Sequence, residues 1–164
     1  MSWRVARSLE TLRSQIDAIA PRRSKASDGT KGDDAHAARK SDHNPNTAGV
    51  VQALDITHDP ANGVDSYALA ETLRLNRDRR IKYVISNRRI FSSLSSPWQW
   101  RPYDGPNAHS QHVHVSVSDD PALYDATEPW NLGTKVSGTA AGLEMTASQR
   151  ERFVREVLRW EDDG

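Results

Sequence analysis

The sequence contains no cysteine. That excludes a disulfide framework and any thiolate metal site, so a bound metal would have to sit on histidine and carboxylate. Zero cysteines fit any redox compartment and do not locate the protein. Neither sign of charge is in excess: 22 Lys and Arg balance 22 Asp and Glu. A general nucleic-acid binder carries a basic surplus, so no nucleic-acid partner is expected. No apolar run approaches the length of a membrane span, and the first residues lack the apolar centre of a signal peptide. The expectations are cytoplasmic synthesis and no membrane span. Aromatics are scarce at 7%, although five Trp are present. There is no internal repeat. A chain of 164 residues fits one domain around one core, and a monomer is expected.

What is present is a set of short periodic segments between long polar loops. Val5, Leu9, Leu12, Ile16 and Ile19 share one helical face. They predict a helix over 3–19, capped by Ser2 and stopped by Pro21. Residues 22–49 are loop by composition, with 23–34 expected to be mobile. Val50, Val51, Ala53, Leu54 and Ile56 predict a strand over 50–57, buried on both faces. Asp65 or Ser66 caps a helix over 67–76. Ile81 to Ile85 read as a strand, with Arg89 to Phe91 as an antiparallel neighbour after a turn at Asn87. Residues 92–108 form a second long loop. Its Trp98, Trp100 and Tyr103 either line a substrate groove or pin the loop to the core. Residues 119–145 lack periodicity, and two capping-box patterns introduce a last amphipathic helix over 147–161. The expected organisation is a domain over 1–135, then a linker and helix over 136–164. Few strands, long loops and helices at both ends predict an α+β fold.

Two stretches carry the chemistry. Asp55 interrupts an apolar strand, where an unpaired carboxylate is costly; a salt bridge or a metal would satisfy it. From His112 to Val117 the pattern has period two. His112, His114 and Ser116 share one face, and the three valines share the other, which is core. A lone pair of strand histidines is a weak signal. His109, His112 and His114 together, with His43 and Asp55 upstream, are a stronger one. Two histidine nitrogens and one carboxylate form a common first shell for a catalytic zinc with one position open. Such an ion acidifies water and polarises a carbonyl, while a nearby base moves the proton to the leaving amine.

Ser41-Asp42-His43, then Ala53-Leu54-Asp55, then His112-Val113-His114 resembles the S-x-H, A-x-D and H-x-H elements of the LAS metallopeptidases (peptidase M15). That group includes D-Ala-D-Ala carboxypeptidases and dipeptidases, L-alanyl-D-glutamate phage endolysins and penicillin-insensitive murein endopeptidases. Hedgehog signalling domains share its fold. The spacing of His109, His112 and His114 is similar to the murein endopeptidase pattern. Residues 41–60, 82–90 and 100–117 also resemble peptidase domains of actinobacterial phages and prophages, so the likeness covers residues 36–118. It implies a small antiparallel sheet carrying the metal site, with helices packed on one face. It implies a Zn2+ cofactor and hydrolysis of peptide bonds in peptidoglycan stem peptides or cross-links. By position it implies His43, Asp55 and His114 as metal ligands. Ser41 would contact substrate or orient its loop. A phage enzyme of this kind without a signal peptide would reach the cell wall through a holin pore.

Two departures from the pattern matter. Eleven residues separate His43 from Asp55, more than in most of the group, so Asn44 to Gly49 must bulge outward. The usual carboxylate base is replaced by Gln111. That leaves His112 or His109 as catalytic base. His112 is preferred because it shares a face with His114; His109 would orient it or bind the leaving group. Arg101 is a candidate carboxylate clamp and Tyr103 a candidate substrate contact, with Arg88 and Arg39 as further cations. His58 is expected to be structural or exposed, and His36 could close over the site. Two rivals remain. Asp42 to Asn46 faintly resembles the Asp-His element of HNH nucleases. Loss of the usual base would also suit a non-catalytic zinc-binding hedgehog-like or phage structural module.

Overall fold

Period-two alternation builds a five-stranded antiparallel sheet, and the α+β expectation holds. The computed structural model describes residues 2–33 and 37–133. His36, the segment from 136 and the expected helix over 147–161 lie outside the described residues. The elements are β1 (Arg4–Val5), α1 (Arg7–Ile19), β2 (Val50–Val51), β3 (Ala53–Thr57), α2 (Ser66–Asn76), β4 (Ile81–Ser86), β5 (Arg89–Ser92), β6 (Arg101–Pro102), β7 (His112–Val117) and α3 (Pro121–Tyr124). The sheet order is β3-β7-β4-β5-β6.

Cross-strand partners in an antiparallel sheet point to the same face. Leu54, Ile56, Val84, Phe91 and the three valines of β7 form the buried face. Leu9, Leu12 and Ile16 of α1 and Leu69, Ala70 and Leu73 of α2 join them in one core. The opposite face carries a row of paired residues that includes Asp55, His114, Ile85, Ile90 and Arg101. So the strand pattern separates core from site, one face for each.

Two boundaries differ from the sequence expectations. Helix α1 starts at Arg7, not at residue 3. Arg4 and Val5 pair instead with Val50 and Val51 as a short parallel ribbon. Ser2 therefore caps nothing, and Ala6 occupies the N-cap with no side-chain bond. The strand expected over 50–57 is two strands, because Gln52 is drawn out of line. Its side-chain amide donates to the Val117 and Ser118 carbonyls and to Asp119. The loop expected to bulge outward after His43 does so as a turn with Thr47 and Ala48 exposed, in which Asn46 Oδ1 accepts from the Ala48 and Val50 amides. The start of α2 agrees with expectation, since Asp65 accepts from the Tyr67 and Ala68 amides.

The tryptophans of the 92–108 loop act as pins. Trp98 and Trp100 pack on Phe91, and the Trp100 indole donates to Glu71 at 2.6 Å. Farther on, Trp130 donates to the Ser8 carbonyl and lies under the Arg80 guanidinium. Residues 119–133 thus belong to the same core.

The stretch expected to be mobile is tied down as far as it is described. The Arg23 side chain is 1% exposed and bonds to Asp17 and to both oxygens of Asp28. Asp28 Oδ1 also accepts from the Thr57 amide and hydroxyl. Burial opposes ionisation of Asp28, but Arg23 and Thr57 outweigh it and hold its pKa below the ordinary value. Removing one member of a buried pair leaves the other charge uncompensated. Asp28→Asn should therefore lose about 3–5 kcal/mol of unfolding free energy in denaturant melts. Because the folded pKa is depressed, this stabilisation is present above the unfolded carboxyl value and is lost as pH falls through the folded one. The gap between wild type and variant should accordingly narrow in acid; a gap that persists there contradicts the assignment.

Candidate metal centre

Register puts Asp55 of β3 directly opposite His114 of β7. His43 arrives from the loop before β2. The three side chains offer ligand atoms that all lie within 4.8 Å of one another, so this buried group could hold a metal ion. His43 Nε2 is 3.2 Å from His114 Nδ1 and 3.3 Å from Asp55 Oδ2; His114 Nδ1 is 3.1 Å from Asp55 Oδ1. The two imidazoles thus face different oxygens of the same carboxylate.

The outer contacts aim the lone pairs inward. His43 Nδ1 faces the Thr30 carbonyl. A carbonyl can only accept, so Nδ1 carries a proton. In the neutral ring Nε2 then presents a lone pair to a carboxylate oxygen, which is repulsive unless a proton or a cation stands between them. His114 Nε2 is 2.9 Å from the Ser116 hydroxyl, which satisfies either tautomer and leaves Nδ1 free to face the centre. Tyr83 stacks on the His114 ring at 5.4 Å. Such outer partners fix tautomer and ring orientation in metal sites.

The electrostatics follow. Burial favours neutral Asp55, but hydrogen bonds and charges of His114 and His43 outweigh it and hold the carboxyl well below its usual range. Burial depresses His43, and the Asp55 bond and charge more than reverse that, leaving its pKa raised. So without a cation the site tends to bind a proton in its place.

His109 and His112 stand beside this trio. Their ring centroids are 5.0 Å apart, His109 is 5.7 Å from the His114 ring, and His112 Nε2 is 3.8 Å from Asp55 Oδ2. His109 sits at φ 53°, a left-handed conformation uncommon outside glycine, and its Nδ1 meets the Asn107 carbonyl at 2.7 Å. That fixes the proton on Nδ1 and leaves Nε2 as an acceptor. Burial, aided by the neighbouring imidazoles, lowers the His109 pKa to about 4. Burial likewise lowers His112, with Asp55 opposing and His114 and His43 assisting.

The remaining candidates separate. The Ser41 hydroxyl accepts from the His43 amide, so it orients the ligand loop. The Tyr103 ring packs edge-on against His109 at 5.4 Å. Arg101 shares the row and face of Asp55 and His114. Arg88 is an exposed residue of the β4–β5 turn, and Arg39 is exposed in the loop before Ser41. His58 is structural: it stacks on Tyr67 and its Nδ1 accepts from the Ser66 amide. Gln111 is exposed, and its carbonyl accepts from the His58 amide. Asp42 is bound by Lys82 Nζ at 3.1 Å, and His112 and His114 lie on a strand, so no nuclease-like ββα unit assembles among the described residues.

One contributor was missed in the sequence: the backbone of residues 29–32. Gly29 exchanges both backbone hydrogen bonds with Asp55, Thr30 holds His43, and the Gly32 amide donates to the His43 carbonyl. Its only sequence signal is the absence of a side chain at position 29. A Cβ built there would stand 2.8 Å from Asp55 Oδ2. Gly29→Ala should therefore displace the carboxylate and weaken metal binding by about 10–100-fold, as outer-partner changes do. Competition with a chromogenic chelator measures this, and an unchanged affinity contradicts the role.

No family model matches the chain, and neither curated proteins nor solved structures offer a match.

Proposed function

We propose that this protein is a zinc metallopeptidase that hydrolyses peptide bonds in peptidoglycan stem peptides or cross-links, with the hedgehog-like fold of the LAS group. The convergence of His43, Asp55 and His114, with ligand atoms within 4.8 Å of one another, carries the reading. The donor set of two imidazoles and one carboxylate suits zinc and leaves a position for water or substrate. Zinc bound there supplies Lewis acidity to a carbonyl and acidifies water.

The chain's own residues supply the proton handling. His112 and His109 are kept neutral by burial, so each has an accepting nitrogen at neutral pH. A nearby cation depresses them further. His112, closer to the ligand carboxylate, takes the proton from water and returns it to the leaving amine. His109, held through Nδ1, orients that ring or meets the leaving group. Tyr103 packs on His109 and limits its motion.

The test separates metal binding from proton transfer. His114→Ala should lose both zinc and release of fragments from purified cell walls. His112→Ala and His109→Ala should keep one zinc while the better base of the two costs about 10²–10⁴-fold in kcat. Zinc bound at one equivalent by the wild type, with no cell-wall lysis, would instead indicate the non-catalytic module.

A pH profile gives a second check. The His109 pKa of about 4 keeps that ring unprotonated well below neutrality, whereas His43 has a raised pKa and a proton there competes with the ion. As pH falls, zinc leaves before His109 titrates. The acid limb of activity should coincide with loss of zinc, at about tenfold in affinity per pH unit for each proton taken up. An acid limb that appears while zinc is still fully bound contradicts this.

A further inference from the structure

A β-bulge aims one tyrosine at the metal centre. Ile81 of β4 pairs with Val117 and lies in the core. On an unbroken strand Tyr83, two residues on, would face the core with it. Instead Lys82 is an extra residue on β4, and the next pair is Tyr83 with Ser116. The bulge thus turns Tyr83 to the face of His114. The two rings stack at 5.4 Å, within 13° of parallel. Lys82 Nζ reaches both oxygens of Asp42, at 3.2 and 3.1 Å. Asp42 immediately precedes the ligand His43.

The protons on this face have one consistent direction. A metal on His114 Nδ1 leaves the ring proton on Nε2, which then donates to the Ser116 hydroxyl 2.9 Å away. Ser116 is fully buried, so its own proton cannot be given to bulk water. The Tyr83 hydroxyl is the neighbour placed to take it. Burial raises the Tyr83 pKa, the Ser116 hydrogen bond lowers it, and the charge of Asp42 and a bond to it raise it again. Those are the signs of a phenol that accepts from a hydroxyl and donates to a carboxylate. Asp42 ends the run as an acceptor, with its charge balanced by Lys82.

We propose that Ser116 and Tyr83 are positioning residues that tie the ligand His114 to the Asp42–Lys82 ion pair through a one-way chain of hydrogen bonds. The chain runs from His114 Nε2 to Ser116, then to Tyr83, then to Asp42. It makes His114 a more basic ligand and fixes Nδ1 as the atom that meets the metal, as a carboxylate does when it contacts a ligand histidine directly. Because Asp42 and His43 are adjacent, one ion pair steadies two of the three ligands. This rests on the zinc-binding part of the proposed function and on no step of the peptidase reaction.

The test uses the full chain, with zinc alone as the probe. Tyr83→Phe keeps the ring stack and loses the hydroxyl; Ser116→Ala breaks the chain next to the ligand. In competition with a chromogenic chelator, zinc affinity should fall about 10–100-fold in Ser116→Ala and about tenfold in Tyr83→Phe. The double variant should bind no more weakly than Ser116→Ala alone, because members of one hydrogen-bond chain are not additive. Histidine side-chain NMR of the zinc-loaded protein should show a slowly exchanging Nε2 proton on His114. Both substitutions should shift that signal, whereas a Tyr83 that merely packs would leave it in place. Wild-type zinc affinity in Tyr83→Phe, or a double variant whose loss is the product of the single losses, overturns the chain and leaves the metal centre standing. A wild type that binds no zinc overturns both. The expected affinities and NMR shifts without digestion of purified cell walls support the chain and refute the peptidase reading alone.

Discussion

A carboxylate placed inside an apolar strand, opposite a histidine of the neighbouring strand, is the constraint from which the rest follows. Asp55 cannot be buried without partners. The β3–β7 register sets His114 across from it, and the loop before β2 brings His43. A slip of one residue in either strand would turn Asp55 or His114 into the valine-lined core. The hydrophobic faces of β3 and β7 forbid that slip. Core packing therefore enforces the geometry of the site without any residue of the site contributing to the core.

The same centre calls for a proton or a cation between its groups. A fixed proton on His43 Nδ1 points an Nε2 lone pair at a carboxylate, and the Thr30 carbonyl leaves no alternative tautomer. Two neutral imidazoles crowd the other side. A cation resolves these conflicts together. The strap from Arg23 to Gly32 keeps the atoms from relaxing apart, because Arg23 and Asp28 anchor it and Gly29 and Thr30 bind the ligand residues directly.

Much of this was legible in the sequence where side chains carry a period or a chemistry. The alternation from His112 to Val117 assigns both faces of β7, and Asp55 stands out because an acid in an apolar run needs a partner. Other features were not legible because long-range contacts decide them. Arg4 and Val5 sit before a helical pattern, yet they pair with β2 and delay the helix. Gln52 breaks a strand through amide bonds to residues far along the chain. The strap is aimed by backbone carbonyls and by a missing Cβ, neither of which leaves a side-chain signature. For the same reason residues 23–34 read as a mobile loop, although the described part, to residue 33, supports the ligands.

X-ray absorption at the zinc edge of the loaded full chain tests the central claim most directly. The geometry predicts a four-coordinate ion with two imidazole nitrogens and the rest oxygen, at about 2.0–2.1 Å, and a changed shell in Asp55→Ala. A shell of three or four imidazoles, or a spectrum indifferent to the loss of the Asp55 carboxylate, would contradict it.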